Sequence, residues 1–150
     1  MIVEDVDIQI SLSSEWWRDP PYCEIYVDDK IIDRLHITTK QIDRVKRQVF
    51  FRGNLDYGNH TLTIRFLNKK PDDSFYDEDG NMIYDQQIII DHIVINKLPI
   101  FLGRSNKDEN FCFLKDNNNL TPYVGSVLFD NCEWIMKFSV PTYIWLMENL

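Results

Sequence analysis

The sequence predicts an all-β protein, an antiparallel β-sandwich that ends in a short C-terminal helix or an extended tail. Several segments alternate apolar and polar side chains, as strands with one buried face do. Gly, Asn, Asp and Pro bound these segments, as expected of strands joined by turns. Nine Phe, seven Tyr and four Trp supply large rings suited to packing between sheets.

The first segments give the clearest pattern. Residues 3–12 place Val6, Ile8, Ile10 and Leu12 on one side, which predicts a half-buried strand. Residues 13–21 end in Pro20 and Pro21, and we expect them to interrupt that strand. Residues 22–37, with a turn at 28–30, are expected to form a hairpin.

The middle of the chain mixes strands with turns. Residues 38–47 are polar and fit either a loop or a short helical turn, whereas residues 53–59 predict a turn-rich link to a strand over 61–67. Asp79-Gly80, between two aromatic segments, is a strong hairpin signal, because glycine supplies the positive φ of a tight turn. A protruding β-finger is therefore expected there.

The last third of the chain predicts a long polar loop over residues 103–122, around an apolar island at 111–114. A final strand, which includes Trp134, ends at Pro141. A short helix with Thr142 as its N-cap would follow. Its predicted apolar face consists of Tyr143, Leu146, Met147 and Leu150.

Length and charge restrict the function. We expect one domain over residues 1–150, since the chain has 150 residues. We expect no membrane span, as there is no long apolar run, and no signal peptide, as the start lacks a basic and then apolar leader. The net charge of −8 disfavours nucleic acid as a partner.

The cysteines indicate synthesis in a reducing cytoplasm. Cys23, Cys112 and Cys132 are odd in number and widely spaced, which fits neither a disulfide framework nor a zinc site. Residues 40–52 are basic, whereas residues 71–96 hold seven acids and no Lys or Arg. These stretches are either solvated faces of opposite sign or surfaces that steer a protein partner.

The acidic hairpin offers oxygen ligands of the kind that calcium takes. The candidates are Asp72, Asp73, Asp77, Asp79 and Asp85. The spacing is not that of an EF-hand, since the fourth position from Asp77 is glycine and the twelfth is Ile88. The alternative is that these residues start turns and keep an edge hairpin hydrated. We expect no other metal and no other cofactor.

Exposed aromatic residues are the candidates for contact with a partner or a glycan, because such rings stack on sugar C–H faces and are frequent in interfaces. They are Trp16, Trp17, Tyr22, Tyr76, Tyr84, Tyr143 and Trp145. Trp16 and Trp17 are adjacent, so one is expected to face the core and the other the solvent.

The sequence predicts a protein that is not an enzyme. His36, His60 and His92 are scattered and lie in no activating motif, and there is no nucleophile elbow, phosphate loop or zinc motif. His60, at the head of a strand, is expected to hold the preceding turn by hydrogen bonding. Glu15, Asp19, Glu24 and Asp33 are close in sequence, but their spatial separation decides any acid–base role.

The stretch Gly58-x-His60-x-Leu62-x-Ile64-x-Phe66-x-Asn68, followed by residues 85–96, resembles the central half of jelly-roll carbohydrate-binding modules of the calcium-dependent xylan-binding type. The resemblance covers about 40 residues and implies a jelly-roll fold and glycan binding. Where that group has an Asn-Asp pair, this chain has Asn68-Lys69. A calcium ligand of the group is thus replaced by a cation.

Residues 14–21, 77–86 and 134–150 together resemble small β-sandwich proteins of unassigned role from large contractile-tailed phages, notably myoviruses of marine cyanobacteria. That resemblance implies a non-enzymatic virion protein, in the capsid decoration, neck or tail, made in the host cytoplasm. Its partners would be other virion proteins or copies of itself. The alternative is a carbohydrate-binding or glycan-adhesion domain, with calcium as a cofactor and a host surface glycan as partner.

Overall fold

A computed structural model of the chain describes residues 2–102 and 111–149. The described residues form a long first strand, shorter strands after it and a final helix: β1 (Val3–Glu15), β2 (Tyr22–Val27), β3 (Lys30–His36), β4 (Arg47–Asp56), β5 (Gly58–Phe66), β6 (Phe75–Tyr76), β7 (Met82–Tyr84), β8 (Gln87–Ile95), β9 (Leu98–Ile100), β10 (Cys112–Asp116), β11 (Asn119–Pro122), β12 (Val127–Leu128), β13 (Cys132–Val140) and α1 (Thr142–Asn149).

The strands form two antiparallel sheets. One has the order β12-β8-β1-β4, with β9 also beside β8, and the other has the order β11-β10-β13-β5-β2-β3. A third unit, the β6–β7 hairpin, belongs to neither sheet. The predicted antiparallel β-sandwich with a C-terminal helix is thus confirmed.

The core lies between the two sheets. The predicted apolar face of β1 is buried, with Ile8, Ile10 and Leu12 fully inaccessible to solvent, and Ile64 of β5 and Trp134 of β13 are equally buried in the other sheet. Each such side chain contributes roughly 1.5–3 kcal/mol by leaving water. Alternation along the strands therefore determines which faces of the two sheets meet.

The first strand continues past its predicted end. β1 pairs with β8 as far as Glu15 opposite Gln87, and Ser13 and Ser14 are buried within it. The Ser14 hydroxyl donates to the Ile37 carbonyl at 2.6 Å. The interruption was predicted to start too early, because cross-strand pairing satisfies the backbone up to Glu15 and the Ile37 carbonyl accepts the Ser14 hydroxyl. The strand is interrupted over residues 16–21.

The predicted turn-rich link over 53–59 was also wrong. β4 stays paired with β1 up to Asp56 opposite Val3, and β5 begins at Gly58, so Tyr57 alone separates two strands of different sheets. Gly58 has a φ of 130°, which glycine adopts readily and other residues rarely do. The abrupt change of sheet depends on that freedom.

The predicted loop over 103–122 falls partly outside the described residues, since residues 103–110 are not among them. Residues 112–122 form β10 and β11 rather than a loop. Asn117 takes a φ of 54° in the turn between these strands, a conformation that asparagine tolerates. The asparagines at 117–119 therefore mark a hairpin. Residues 38–47 hold no helix and contain one isolated bridge, from Lys40 to Ser14.

The C-terminal helix exists, but its predicted apolar face was wrong. Trp145 and Leu146 are buried, whereas Tyr143 and Met147 are exposed; Leu150 lies outside the described residues. Thr142 does not cap the helix: it is the first helical residue, and its hydroxyl donates to a Glu4 carboxylate oxygen at 2.8 Å and accepts from Asn96 Nδ2 at 2.9 Å. Trp145 sets the helix orientation by edge contacts with two phenylalanine rings of the core.

The three cysteines remain thiols. Burial raises the pKa of Cys23 and of Cys112 to about 12, and that of Cys132 to about 11. They behave as small apolar side chains. Within the described ranges, no helix is long and apolar enough to cross a membrane.

Candidate functional site

The acidic hairpin stands at the end of the sandwich where β1 ends and β8 begins. It is tied to the sandwich by an aromatic cluster formed by Trp17, Phe75 and Tyr84. The Trp17 and Tyr84 rings stack at 5.4 Å between centroids, with 19° between their planes, and the Phe75 ring lies 5.8 Å from that of Trp17. The Trp17 indole N–H donates to the Asp73 carbonyl at 3.0 Å. Trp17 thus orients the β6–β7 hairpin.

A cleft of about 240 Å³ lies between this hairpin and the end of β1. Its lining combines two aromatic rings, two apolar side chains and three polar ones: Trp16, Tyr84, Met82, Ile83, Glu15, Asp85 and Gln87. The Lys40 ammonium lies 4.6 Å from the Trp16 ring centroid, where cation–π attraction holds that ring. Tyr84 both lines the cleft and stacks on Trp17, so the aromatic cluster fixes one wall.

A buried ion pair lies at the base of the hairpin. The Lys69 ammonium donates to Asp85 Oδ1 at 2.7 Å, and their side chains are only 10% and 6% exposed. The same oxygen accepts from the Ser74 hydroxyl at 2.7 Å, and Oδ2 accepts from Gln87 at 2.9 Å. Burial acts to raise the pKa of Asp85, but these hydrogen bonds outweigh it and hold that pKa below its ordinary value.

Three of the other carboxylates that the sequence offered for calcium accept hydrogen bonds within the protein, and the fourth, Asp79, is an exposed turn residue. Asp72 and Asp73 accept from the Arg18 guanidinium at 3.4 and 3.3 Å. Asp77 Oδ1 accepts the backbone N–H of Asp79 and of Asn81, which makes it a turn residue.

No group of three or more metal-binding side chains converges in the part of the chain that the structure describes. With Asp85 held by an ammonium, the carboxylates as arranged do not fit a calcium ion, which takes about six to eight oxygen ligands.

The remaining predicted contact residues do not line the cleft. Tyr76 is on the hairpin and half exposed. Tyr22 starts β2 and packs against His36, with ring centroids 5.0 Å apart. Tyr143 is exposed on α1, at the opposite end of the sandwich, whereas Trp145 is 6% exposed and belongs to the core. The structure therefore gathers Trp16, Trp17, Tyr76 and Tyr84 at one end and separates them from the C-terminal pair.

Sequence reasoning missed two lysines of the site. Lys40 comes from the polar stretch whose structure the sequence left open, and Lys69 was noted only as a departure from the Asn-Asp pair. No periodic pattern marks either residue, because both act through contacts with residues far along the chain. The one signal in the sequence was Lys69 itself, which stands beside Asn68 where the similar carbohydrate-binding modules have an aspartate.

A second groove, of about 480 Å³, lies near α1 at the opposite end. His60 lines it, with Nδ1 2.7 Å from Asp28 Oδ2 and Nε2 2.6 Å from the Asp56 carbonyl oxygen. Both ring nitrogens are thus engaged, which suits the predicted role of holding a turn rather than that of a general base. Burial acts to lower the pKa of His60, but the bonds to Asp56 and Asp28 prevail and raise it above its ordinary value.

This raised pKa predicts a pH-dependent stability. The contribution of protonated His60 is complete below the ordinary histidine pKa of about 6.5 and is lost as pH rises through the higher folded-state pKa. We expect His60→Gln to reduce the fall in unfolding free energy between about pH 6 and pH 9, measured by urea denaturation. His92→Gln, at an exposed position of β8, is the control. Equal pH profiles for the unaltered protein and His60→Gln would contradict the assignment.

No protein-family model and no curated protein matches the chain. Among solved structures, the chain is similar to the selenomethionine form of vCBM60, described with two families of calcium-dependent carbohydrate-binding modules linked by circular permutation: 14% identity, a TM-score of 0.50, and coverage of 87% of this chain and 89% of that one. A structure of vCBM60 with galactobiose gives 12% identity, a TM-score of 0.47, and coverage of 89% and 97%. The first likeness establishes that this chain has the β-sandwich fold of a carbohydrate-binding module.

Proposed function

We propose that the chain is a non-catalytic carbohydrate-binding domain that holds a neutral glycan in the cleft between Trp16 and the β6–β7 hairpin. The observation that carries the proposal is the joint lining of this cleft by the rings of Trp16 and Tyr84 and by the polar groups of Glu15 and Gln87. Aromatic faces cover the apolar C–H side of a sugar, while carboxylate and amide groups bond its hydroxyls.

The fold supports this class of function, since vCBM60 is a carbohydrate-binding module. Fold alone does not determine function, so the proposal depends on the residues that line the cleft. Its walls are set in advance: Lys40 holds Trp16 and the aromatic cluster holds Tyr84. A preformed site loses less conformational entropy when a ligand binds.

Charge selects among glycans. The chain carries a net charge of −8, and Glu15 and Asp85 line the cleft. The cation nearest to Asp85 is already paired with it. Glu15 and Asp85 would therefore repel an anionic glycan, the Lys40 ammonium over Trp16 offsets only part of that charge, and a neutral polymer is favoured.

The proposal predicts that Trp16→Ala and Tyr84→Ala each weaken glycan binding at least about tenfold, or about 1.4 kcal/mol, because each removes a stacking surface. Binding would be found on a glycan array that includes galactobiose and measured by affinity electrophoresis in neutral and uronic-acid polymers. Tyr143→Ala, an exposed aromatic change at the far end, is the matched control.

The proposal is refuted if the unaltered protein retains no glycan, or if glycan binding is unchanged in both the Trp16→Ala and the Tyr84→Ala variants. The virion role and location predicted from the sequence stay predictions, and they are compatible with glycan binding on a particle surface.

A further inference from the structure

The Lys69 ammonium joins three separate segments at the base of the β6–β7 hairpin. Besides Asp85 Oδ1, it donates to the backbone carbonyl oxygen of Phe129. Asp85 follows the hairpin directly, and Phe129 belongs to the loop before β13. A carboxylate and a backbone carbonyl are the oxygen types that surround a calcium ion in proteins. Here a side-chain cation contacts them instead.

The backbone of Lys69 is held as firmly as its side chain. Its N–H donates to Asn131 Oδ1 at 2.8 Å, and its carbonyl oxygen accepts from Asn131 Nδ2 at 2.8 Å. Two bonds to one amide fix the origin of the side chain, so the ammonium is positioned by the fold and needs no ligand to place it. This is the preorganisation that a bound metal ion would otherwise supply.

The contacts at this position do not suit a divalent cation. The Lys69 and Asp85 side chains are almost fully buried, and both Asp85 oxygens already accept hydrogen bonds from fixed donors. A calcium ion in contact with Asp85 would lie beside the ammonium, where like charges in a poorly hydrated setting repel strongly. Removal of the ammonium would instead leave a buried, uncompensated carboxylate.

We propose that Lys69 is a built-in replacement for a divalent cation, so that the hairpin is ordered and the cleft binds its glycan without calcium. The chain would differ in this respect from vCBM60, which is described among calcium-dependent modules. The part of the proposal that concerns glycan rests on the proposed function. The part that concerns the hairpin rests on the Lys69 contacts alone.

Thermal unfolding tests the hairpin part without any glycan. The melting temperature of the unaltered protein is expected to be the same, within about 1 °C, in millimolar calcium and in EDTA, since a ligand stabilises only a state that binds it. A calcium-dependent rise of several degrees would overturn the proposal.

A substitution makes the test sharper. Lys69→Asp exchanges the ammonium for a second carboxylate beside Asp85 and the Phe129 carbonyl, which creates an oxygen cluster. We expect it to melt lower than the unaltered protein in EDTA and to regain about 3 °C or more in millimolar calcium. Lys70→Asp makes the same charge change at an exposed neighbour and is expected to show no calcium response. Equal calcium responses of the two variants would overturn the proposal.

The glycan part has its own readout. Retention in affinity electrophoresis is expected to be equal in calcium and in EDTA, and a loss in EDTA would overturn it. If no glycan is retained in either condition, the proposed function fails, while the melting data still decide the role of Lys69.

Discussion

Replacement of Trp134 by alanine is expected to lower the free energy of unfolding by about 3–5 kcal/mol. Trp134 lies in the middle of β13, opposite Ile64 of β5 and Leu114 of β10, and it is completely inaccessible to solvent. The alanine variant loses the transfer free energy of the ring and leaves a cavity that two paired neighbouring strands prevent from closing.

Trp134→Phe is the matched control. The Trp134 indole nitrogen has no hydrogen-bond partner among the described residues, so phenylalanine removes an unsatisfied buried donor along with part of the ring. We expect a loss of about 1–2 kcal/mol, well below that of alanine. Urea denaturation followed by fluorescence and circular dichroism gives both values, and similar losses for the two variants would contradict the packing argument.

Asp85→Ala is expected to cost about 3–5 kcal/mol, because it leaves the Lys69 ammonium buried without its carboxylate. Ser74 and Gln87 lose their acceptor in the same change. The double variant Asp85→Ala/Lys69→Met removes both charges, and we expect it to recover most of that loss, since a buried ion pair is often replaceable by apolar groups.

Asp72→Ala is the control for Asp85→Ala. It removes a carboxylate that is 73% exposed and pairs with Arg18, and we expect it to lower the free energy of unfolding by at most about 1 kcal/mol. The lowered pKa of Asp85 means that its stabilisation is present above the ordinary value of 3.8 and is lost as pH falls through the folded-state value. A double variant no more stable than Asp85→Ala would contradict the role of the buried charge.

Alternation in the sequence was sufficient to predict most strands. The apolar positions of β1, β5 and β13 repeat every second residue, and the tertiary fold buries those same positions. The Asp79-Gly80 turn was predicted for the same kind of local reason, and Gly80 has the expected positive φ of 83°. Where local chemistry decides the structure, local sequence reveals it.

The wrong predictions share a different cause. Ser13 and Ser14 resemble loop residues in the sequence, but they pair with β8 in the structure. Residues 53–56 resemble a turn in the sequence, but they pair with β1. The order of strands in each sheet depends on contacts between distant segments, which no local window contains. Trp145 was assigned to the surface because its helix was oriented from periodicity alone, whereas Phe111 and Phe138 determine which side faces inward.

The residues of the candidate site were partly predictable from the sequence, but their arrangement was not. Trp16, Trp17 and Tyr84 were identified from residue type and position, since aromatic residues beside turns are frequent contact residues. Their arrangement into one fixed wall and one cleft was not predictable, because it depends on Lys40 and Lys69. The β2 and β3 strands separate Lys40 from Trp16 along the chain, and the β6–β7 hairpin separates Lys69 from Asp85.

The β6–β7 hairpin forms backbone pairs with itself and with neither large sheet. Changes to residues 76–83 therefore leave the registers of both sheets intact, provided that Trp17 and Lys69 keep their anchoring contacts. Natural selection or library design can therefore vary this hairpin and change the ligand preference of the cleft without altering the packing of the core.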